Sequence, residues 1–139
     1  MSLSPAAQKS MAKWHDMIAK NDLADLSSIV AQDAIFRSPV AFTPYPGRDL
    51  VCTVLRAAAG IFEDFKYHRE LMDGENAILE FSARIGDVQL KAVDIIRFNA
   101  AGEIAEFEVM VRPAKGLMAL GNAMATKIGL EVKAALKGG

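Results

Sequence analysis

Val88-Gln89-Leu90-Lys91-Ala92-Val93-Asp94-Ile95-Ile96-Arg97-Phe98-Asn99 is the stretch that decides the fold. Val88, Leu90, Ala92, Asp94, Ile96 and Phe98 fall on one side of an extended chain, while Gln89, Lys91 and Arg97 fall on the other. Alternation at this period is that of a strand with one face on a core and one more polar. Gly86-Asp87 precedes it and Asn99-Ala100-Ala101-Gly102 follows it, both strong hairpin signals. Working outward, residues 77–85 and 104–112 read as its neighbours, and residues 65–72 as a further strand beyond the turn at Asp73-Gly74. In the last of these strands Phe107, Val109 and Val111 take the interior side, which leaves Glu106, Glu108, Met110 and Arg112 outside.

The first half of the chain has a helical period. Ser4-Pro5 is an N-cap followed by a proline at the first helical position, and Ala7, Met11, Trp14 and Ile18 then recur along one face. Asn21-Asp22 ends that helix, and Asp22 caps a short second one carrying Leu23, Leu26, Ile29 and Val30. Residues 34–40 read as extended, and Pro44, Pro46 and Gly47 as a loop. A third helix over 49–62 carries Leu50, Val51, Val54, Leu55, Ala58 and Ile61. After Pro113 stops the last strand, Leu117, Leu120, Met124, Ile128 and Val132 mark a closing amphipathic helix. Helices followed by a meander of strands define an α+β fold, expected to form one domain over residues 1–139.

Composition removes whole classes of function. Sixteen basic residues against seventeen acidic ones give a net charge of −1, which supplies no basic face for nucleic acid and no polybasic footprint for a membrane. Apolar residues make up 52%, enough for a substantial core, yet no run is long enough to span a bilayer. One cysteine, Cys52, excludes an internal disulfide and any cysteine-based zinc cluster. Two histidines, His15 and His68, make a poor metal site, so no metal and no cofactor is expected. A cytoplasmic location is the default for such a chain.

Four segments carry a resemblance: Ala12-Lys13-Trp14-His15-Asp16 followed by Asn21-Asp22; Asp33-Ala34-Ile35-Phe36-Arg37-Ser38-Pro39-Val40; Pro46-Gly47; and Val93-Asp94-Ile95-Ile96-Arg97-Phe98-Asn99 followed by Gly102-Glu103-Ile104. In this order and at this spacing, across about residues 5 to 112, the chain resembles the NTF2-like family, which contains ketosteroid isomerases and SnoaL-like cyclases. The resemblance implies a cone: a curved antiparallel sheet wrapped around N-terminal helices, a cavity at the open end, and here an additional C-terminal helix. It also implies a homodimer formed through the outer face of the sheet.

Ketosteroid isomerases use an aspartate base, with a tyrosine and a protonated aspartate donating hydrogen bonds to the dienolate oxygen. On the resemblance, Asp94 falls at the protonated aspartate, Trp14 at the donating tyrosine and Ser38 at the base, while Val30 and Leu55 fall at supporting tyrosines. Serine cannot replace a carboxylate base, so steroid isomerisation by that route is not expected of this chain. Asp94 is the leading catalytic candidate, its carboxyl aimed into apolar space among Leu90, Ala92 and Ile96. His15, at the edge of the Trp14 stripe, is a weaker candidate and reads first as a surface residue. Trp14, Ser38, Leu55, Asp94, Phe107 and Val109 are the candidate ligand contacts, and the Trp14 indole is expected to donate to Asp94 or to the ligand. Met110, Met118 and Met124, with Leu117 and Leu120, make a pliable apolar surface at the closing helix, to serve as a lid, an interface or plain core.

Other features have ordinary readings. Cys52 is a buried thiol, His68 an outer-face residue, and Arg112 a salt-bridge partner for Glu108 or Asp64. The functional expectation is a cavity that binds a small apolar molecule, with isomerase-, dehydratase- or cyclase-type acid–base chemistry on Asp94. The alternative is a non-catalytic dimeric ligand-binding or scaffold protein, its cavity closed by Phe36, Phe62 and Met118.

Overall fold

The computed structural model describes the backbone of residues 2–138 and the side chains of residues 2–128. Val132, expected on the last helix's apolar stripe, lies outside the described side chains. Helix α1 (Pro5–Lys20) starts as the sequence requires: the Ser4 hydroxyl accepts from the Ala7 amide, and Pro5 occupies the first turn. It ends at Asn21, whose left-handed backbone (φ 52°) donates to carbonyls of the last turn. Ala7, Met11, Trp14 and Met17 are its buried stripe, with Ile18 half-buried.

The expected second helix is only a 3-10 turn, Leu26–Ile29. The Asp22 side chain folds onto the Ala24 amide at 3.0 Å, a local turn that competes with helix initiation. β-Branched Val30 is already the first residue of β1 (Val30–Arg37), so the strand starts earlier than expected. It also ends earlier, because Ser38 Oγ accepts from the Val40 amide at 3.0 Å and Pro39 has no amide to give. A two-residue strand, β2 (Tyr45–Pro46), pairs back onto β1. Helix α2 (Arg48–Ala59) buries Val51, Cys52, Val54, Leu55 and Ala57, but Leu50 points to solvent rather than joining that face.

Strands β3 (Glu63–Asp73), β4 (Asn76–Ile85), β5 (Val88–Phe98) and β6 (Ile104–Arg112) form the expected antiparallel meander. The six-stranded sheet runs β2-β1-β6-β5-β4-β3 and is open at both ends. It is mixed rather than antiparallel throughout, because β1 runs parallel to β6, Val30 beside Ile104 and Phe36 beside Phe107. Sequence alternation cannot reveal the direction of so distant a partner. Register shifts within β3–β4, β5–β6 and β1–β6 bend the sheet. Leu90, Ala92, Asp94, Ile96 and Phe98 are buried on its concave face. Helix α3 (Ala114–Gly138) returns across the open end of the cone.

The turn between β5 and β6 fastens α1 to the sheet. Gly102 sits at φ +83°, and a Cβ there would stand 2.4 Å from the Ala6 carbonyl carbon. Ser10 Oγ donates to the Gly102 carbonyl in the same contact. Gly102→Ala therefore combines left-handed strain with a clash against backbone, and should cost about 2–4 kcal/mol. Urea unfolding monitored by Trp14 fluorescence measures it, and a cost below about 1 kcal/mol would mean that α1 can move away freely.

Candidate functional site

Between the concave sheet face and the three helices lies an open cavity of about 660 Å³. Two groups of aromatic side chains form its walls. Phe62, Phe65, Phe81 and Tyr67 pack against one another with ring centroids 4.6–6.3 Å apart. Opposite them Trp14 meets Phe107 at 5.3 Å, and Phe107 continues through Phe36 to Tyr45. A single hydrogen bond joins the two walls: Trp14 Nε1 donates to Tyr67 Oη at 2.8 Å. Val54 and Leu55 of α2, and Leu120, Met124 and Ile128 of α3, complete the apolar lining.

All six expected ligand contacts, Trp14, Ser38, Leu55, Asp94, Phe107 and Val109, line this cavity. Asp94 is 5% exposed and forms no hydrogen bond among the described residues. Burial pushes its carboxyl well above the usual carboxylate range, because no neighbouring cation among the described residues supports the charged form. It is also the only carboxylate among the described lining residues. A neutral carboxyl in apolar surroundings both donates and accepts hydrogen bonds.

The indole does not reach Asp94, as the sequence suggested; its proton goes to Tyr67. Tyr67 is the residue that sequence reasoning missed. Its partners in the alternation were in view: Phe65 and Tyr67 point inward while Lys66 and His68 are exposed. The register shift after Tyr67 breaks that pattern before it is long enough to stand out. Burial holds the Tyr67 phenol far above its ordinary pKa; Asp94 adds to this and the Trp14 hydrogen bond opposes it. Tyr67 therefore remains a hydrogen-bond donor across the physiological range.

His15 does not enter the cavity. Its ring packs edge-on against Tyr67 at 5.7 Å, and Nε2 lies 2.6 Å from Glu70 Oε1, at the surface. His68 is likewise outward, 2.7 Å from Ser82 Oγ. Arg112 is exposed and makes no ion pair among the described residues, since Asp64 is held by Arg84 at 2.6 Å. Cys52 is buried, its thiol pushed up by desolvation, as expected of an inert structural cysteine. Phe36 and Phe62 line the cavity without closing it, and Met118 points to solvent with 64% exposure. The interior is thus not filled by the described side chains. Among the described residues no cluster of acidic, histidine or cysteine side chains could hold a metal ion.

A curved, unclosed sheet enclosing an apolar pocket with helices across its concave face is the NTF2-like architecture. More narrowly, the chain belongs to the SnoaL-like family, whose domain matches residues 11–107. It is similar to a steroid delta-isomerase from Pseudomonas aeruginosa, at 45% identity over 94% of this chain and 97% of that one, with a TM-score of 0.92. It is also similar to an uncharacterised bacterial protein with a cystatin-like fold from Silicibacter pomeroyi, at 31% identity over 89% and 88% of the two chains, TM-score 0.84. An NTF2-like protein of unknown function from Mesorhizobium loti shares the fold at 18% identity, covering 81% of this chain and all of the other, TM-score 0.70. Among curated proteins, none matches the chain.

The raised pKa of Asp94 has a sign that stability measurements can read. In the folded state the carboxyl holds its proton more tightly than in the unfolded chain, where the ordinary value is 3.8. Its contribution is fully present below that value and is lost as pH rises through the folded pKa. Asp94→Asn removes the ionisation and keeps the shape. The variant should match the wild type near pH 4 and exceed it at pH 8 in urea midpoint, with the gap opening as pH rises. A gap independent of pH would show that Asp94 is not desolvated.

Proposed function

We propose that the chain binds a small apolar molecule carrying a carbonyl group and exchanges a proton with it through Asp94, in an isomerase-, dehydratase- or cyclase-type reaction. The observation that carries this reading is an unpartnered buried carboxyl at the wall of an otherwise apolar cavity. Asp94 gives its proton to the carbonyl oxygen and, as the carboxylate so formed, takes one from the adjacent carbon, which yields the enol and restores the neutral carboxyl; low dielectric strengthens its hydrogen bond to that oxygen. A cavity of about 660 Å³ suits a ring-sized ligand. The likeness to the Pseudomonas aeruginosa protein named as a steroid delta-isomerase supports a flat, multi-ring ketone.

Ser38 sets the limit of that analogy. It stands at the cavity but carries no carboxylate, and its hydroxyl already accepts from Val40. This favours a second reading, in which the cavity binds its ligand without turning it over. The two are separated by supplying the missing group. With a β,γ-unsaturated steroid ketone, Ser38→Asp should raise the rate of double-bond migration by about 10²-fold or more. Asp94→Ala should abolish any turnover the wild type shows while unfolding cooperatively; unchanged turnover would remove Asp94 from the mechanism.

The outer sheet face supports a homodimer. Leu71, Ile78 and Met110 are 63%, 40% and 51% exposed there, beside half-buried Val93 and Ile95. Pairing of Leu71 with Ile78, Ile78 with Ile95, and Val93 with Met110 makes these residues contiguous, as a self-complementary contact requires. Native mass spectrometry of freshly purified protein should record a dimer retaining a discrete apolar compound. A ligand-free monomer would count against both the interface and the cavity reading.

A further inference from the structure

The hydrogen-bond donor expected on α1 is absent as such: Trp14 occupies that place, and its one proton is used on Tyr67. By accepting from the indole, the phenol oxygen leaves its own proton free, and that proton has no acceptor among the described residues. The ring that carries it is fixed edge-on by Phe65 at 4.9 Å, Phe81 at 6.3 Å and His15 at 5.7 Å. A donor aimed by a second donor and clamped on three sides is prepared for a ligand atom before the ligand arrives.

We infer that Tyr67 is the residue that donates to the ligand's carbonyl oxygen, that Trp14 is its positioning residue, and that Tyr67 and Asp94 together select an apolar ketone over a hydrocarbon of the same shape. This rests on the cavity being the binding site, as proposed above. The function of a helix-borne tyrosine is thereby carried from strand β3, with the indole holding the phenol in place. A site with two donors and no ordered partner for either discriminates strongly against ligands without an acceptor, because binding them leaves buried polar groups unpaired.

Two probes separate these claims: 2-acetylnaphthalene, whose ketone only accepts, and 2-isopropylnaphthalene, which has the same outline without the oxygen. By calorimetric titration the wild type should prefer the ketone by about tenfold, and Tyr67→Phe should reduce that preference by about fivefold, weakening ketone binding and sparing the hydrocarbon an unpaired phenol. Trp14→Phe, an independent second variant that keeps Tyr67, should remove part of the preference in the wild-type background and none in the Tyr67→Phe background. A preference that survives Tyr67→Phe overturns the assignment, as does equal loss of both probes. Equal effects of Trp14→Phe in both backgrounds overturn the positioning role. A wild type that binds both probes equally overturns the Tyr67 inference and leaves the cavity reading standing, whereas one that binds neither overturns both.

Discussion

A bent sheet exposes more concave apolar surface than one helix can cover, and that mismatch governs this molecule. Helix α1 lays Met11, Trp14 and Met17 against one part of the concave face, with Trp14 on Phe107. The remainder, from Phe81 and Tyr67 to Val109, is not filled by the described side chains, and α2 and the described part of α3 line the space rather than occupy it. Close packing is the rule for protein interiors, so an unfilled apolar space of this size is a departure that a ligand would repair.

Polar groups at the inner end of that space are arranged unlike those elsewhere in the protein. On the outer face charges are paired: Arg69 holds Glu80 through two hydrogen bonds, 3.0 and 2.6 Å, and keeps its carboxyl down at about 2. Inside, Asp94 has no such partner and is driven the opposite way by burial. Two carboxylates on adjacent strands therefore shift in opposite directions: Arg69 and Lys91 face Glu80, whereas desolvation acts unopposed on Asp94. The unpartnered one faces the cavity. No fully buried polar side-chain atom among the described residues lacks a partner, so the Asp94 oxygens, which have none, keep some contact with the open space of the cavity.

The meander was legible in the sequence because each β-strand from residue 63 onward pairs with its sequence neighbour across a turn rich in glycine, asparagine or aspartate. The inward faces of Asp94, Phe107 and Val109 followed from period two and the α1 stripe from period 3.6, while the pocket role of Asp94 drew on the family resemblance as well. What was not legible depends on distant partners or on irregularity. The parallel pairing of β1 with β6 joins segments that carry no mark of each other. The 3-10 turn arises from an aspartate side chain that bonds its own backbone and from a strand that begins four residues later. Tyr67 stands next to a break in register, so its strand never shows the long alternation that exposed Asp94. The destination of the Trp14 proton depends on a residue 53 positions away, which no local pattern encodes.

The parallel seam between β1 and β6 also bears on the order of events during synthesis. Val30 and Ile104 are joined there, and Ser10 reaches Gly102 across 92 positions. The amino-terminal helix and first strand thus leave the ribosome long before the strand that completes them exists. Until then the edge of β1 and the stripe of α1 are unsheltered, and their lasting contacts form only once the β5–β6 hairpin has been made. Such non-local closure slows folding and lengthens the time during which an apolar edge is open to wrong partners. The chain's first third waits on its last, and in a crowded cell that interval is when chaperone capture would matter most.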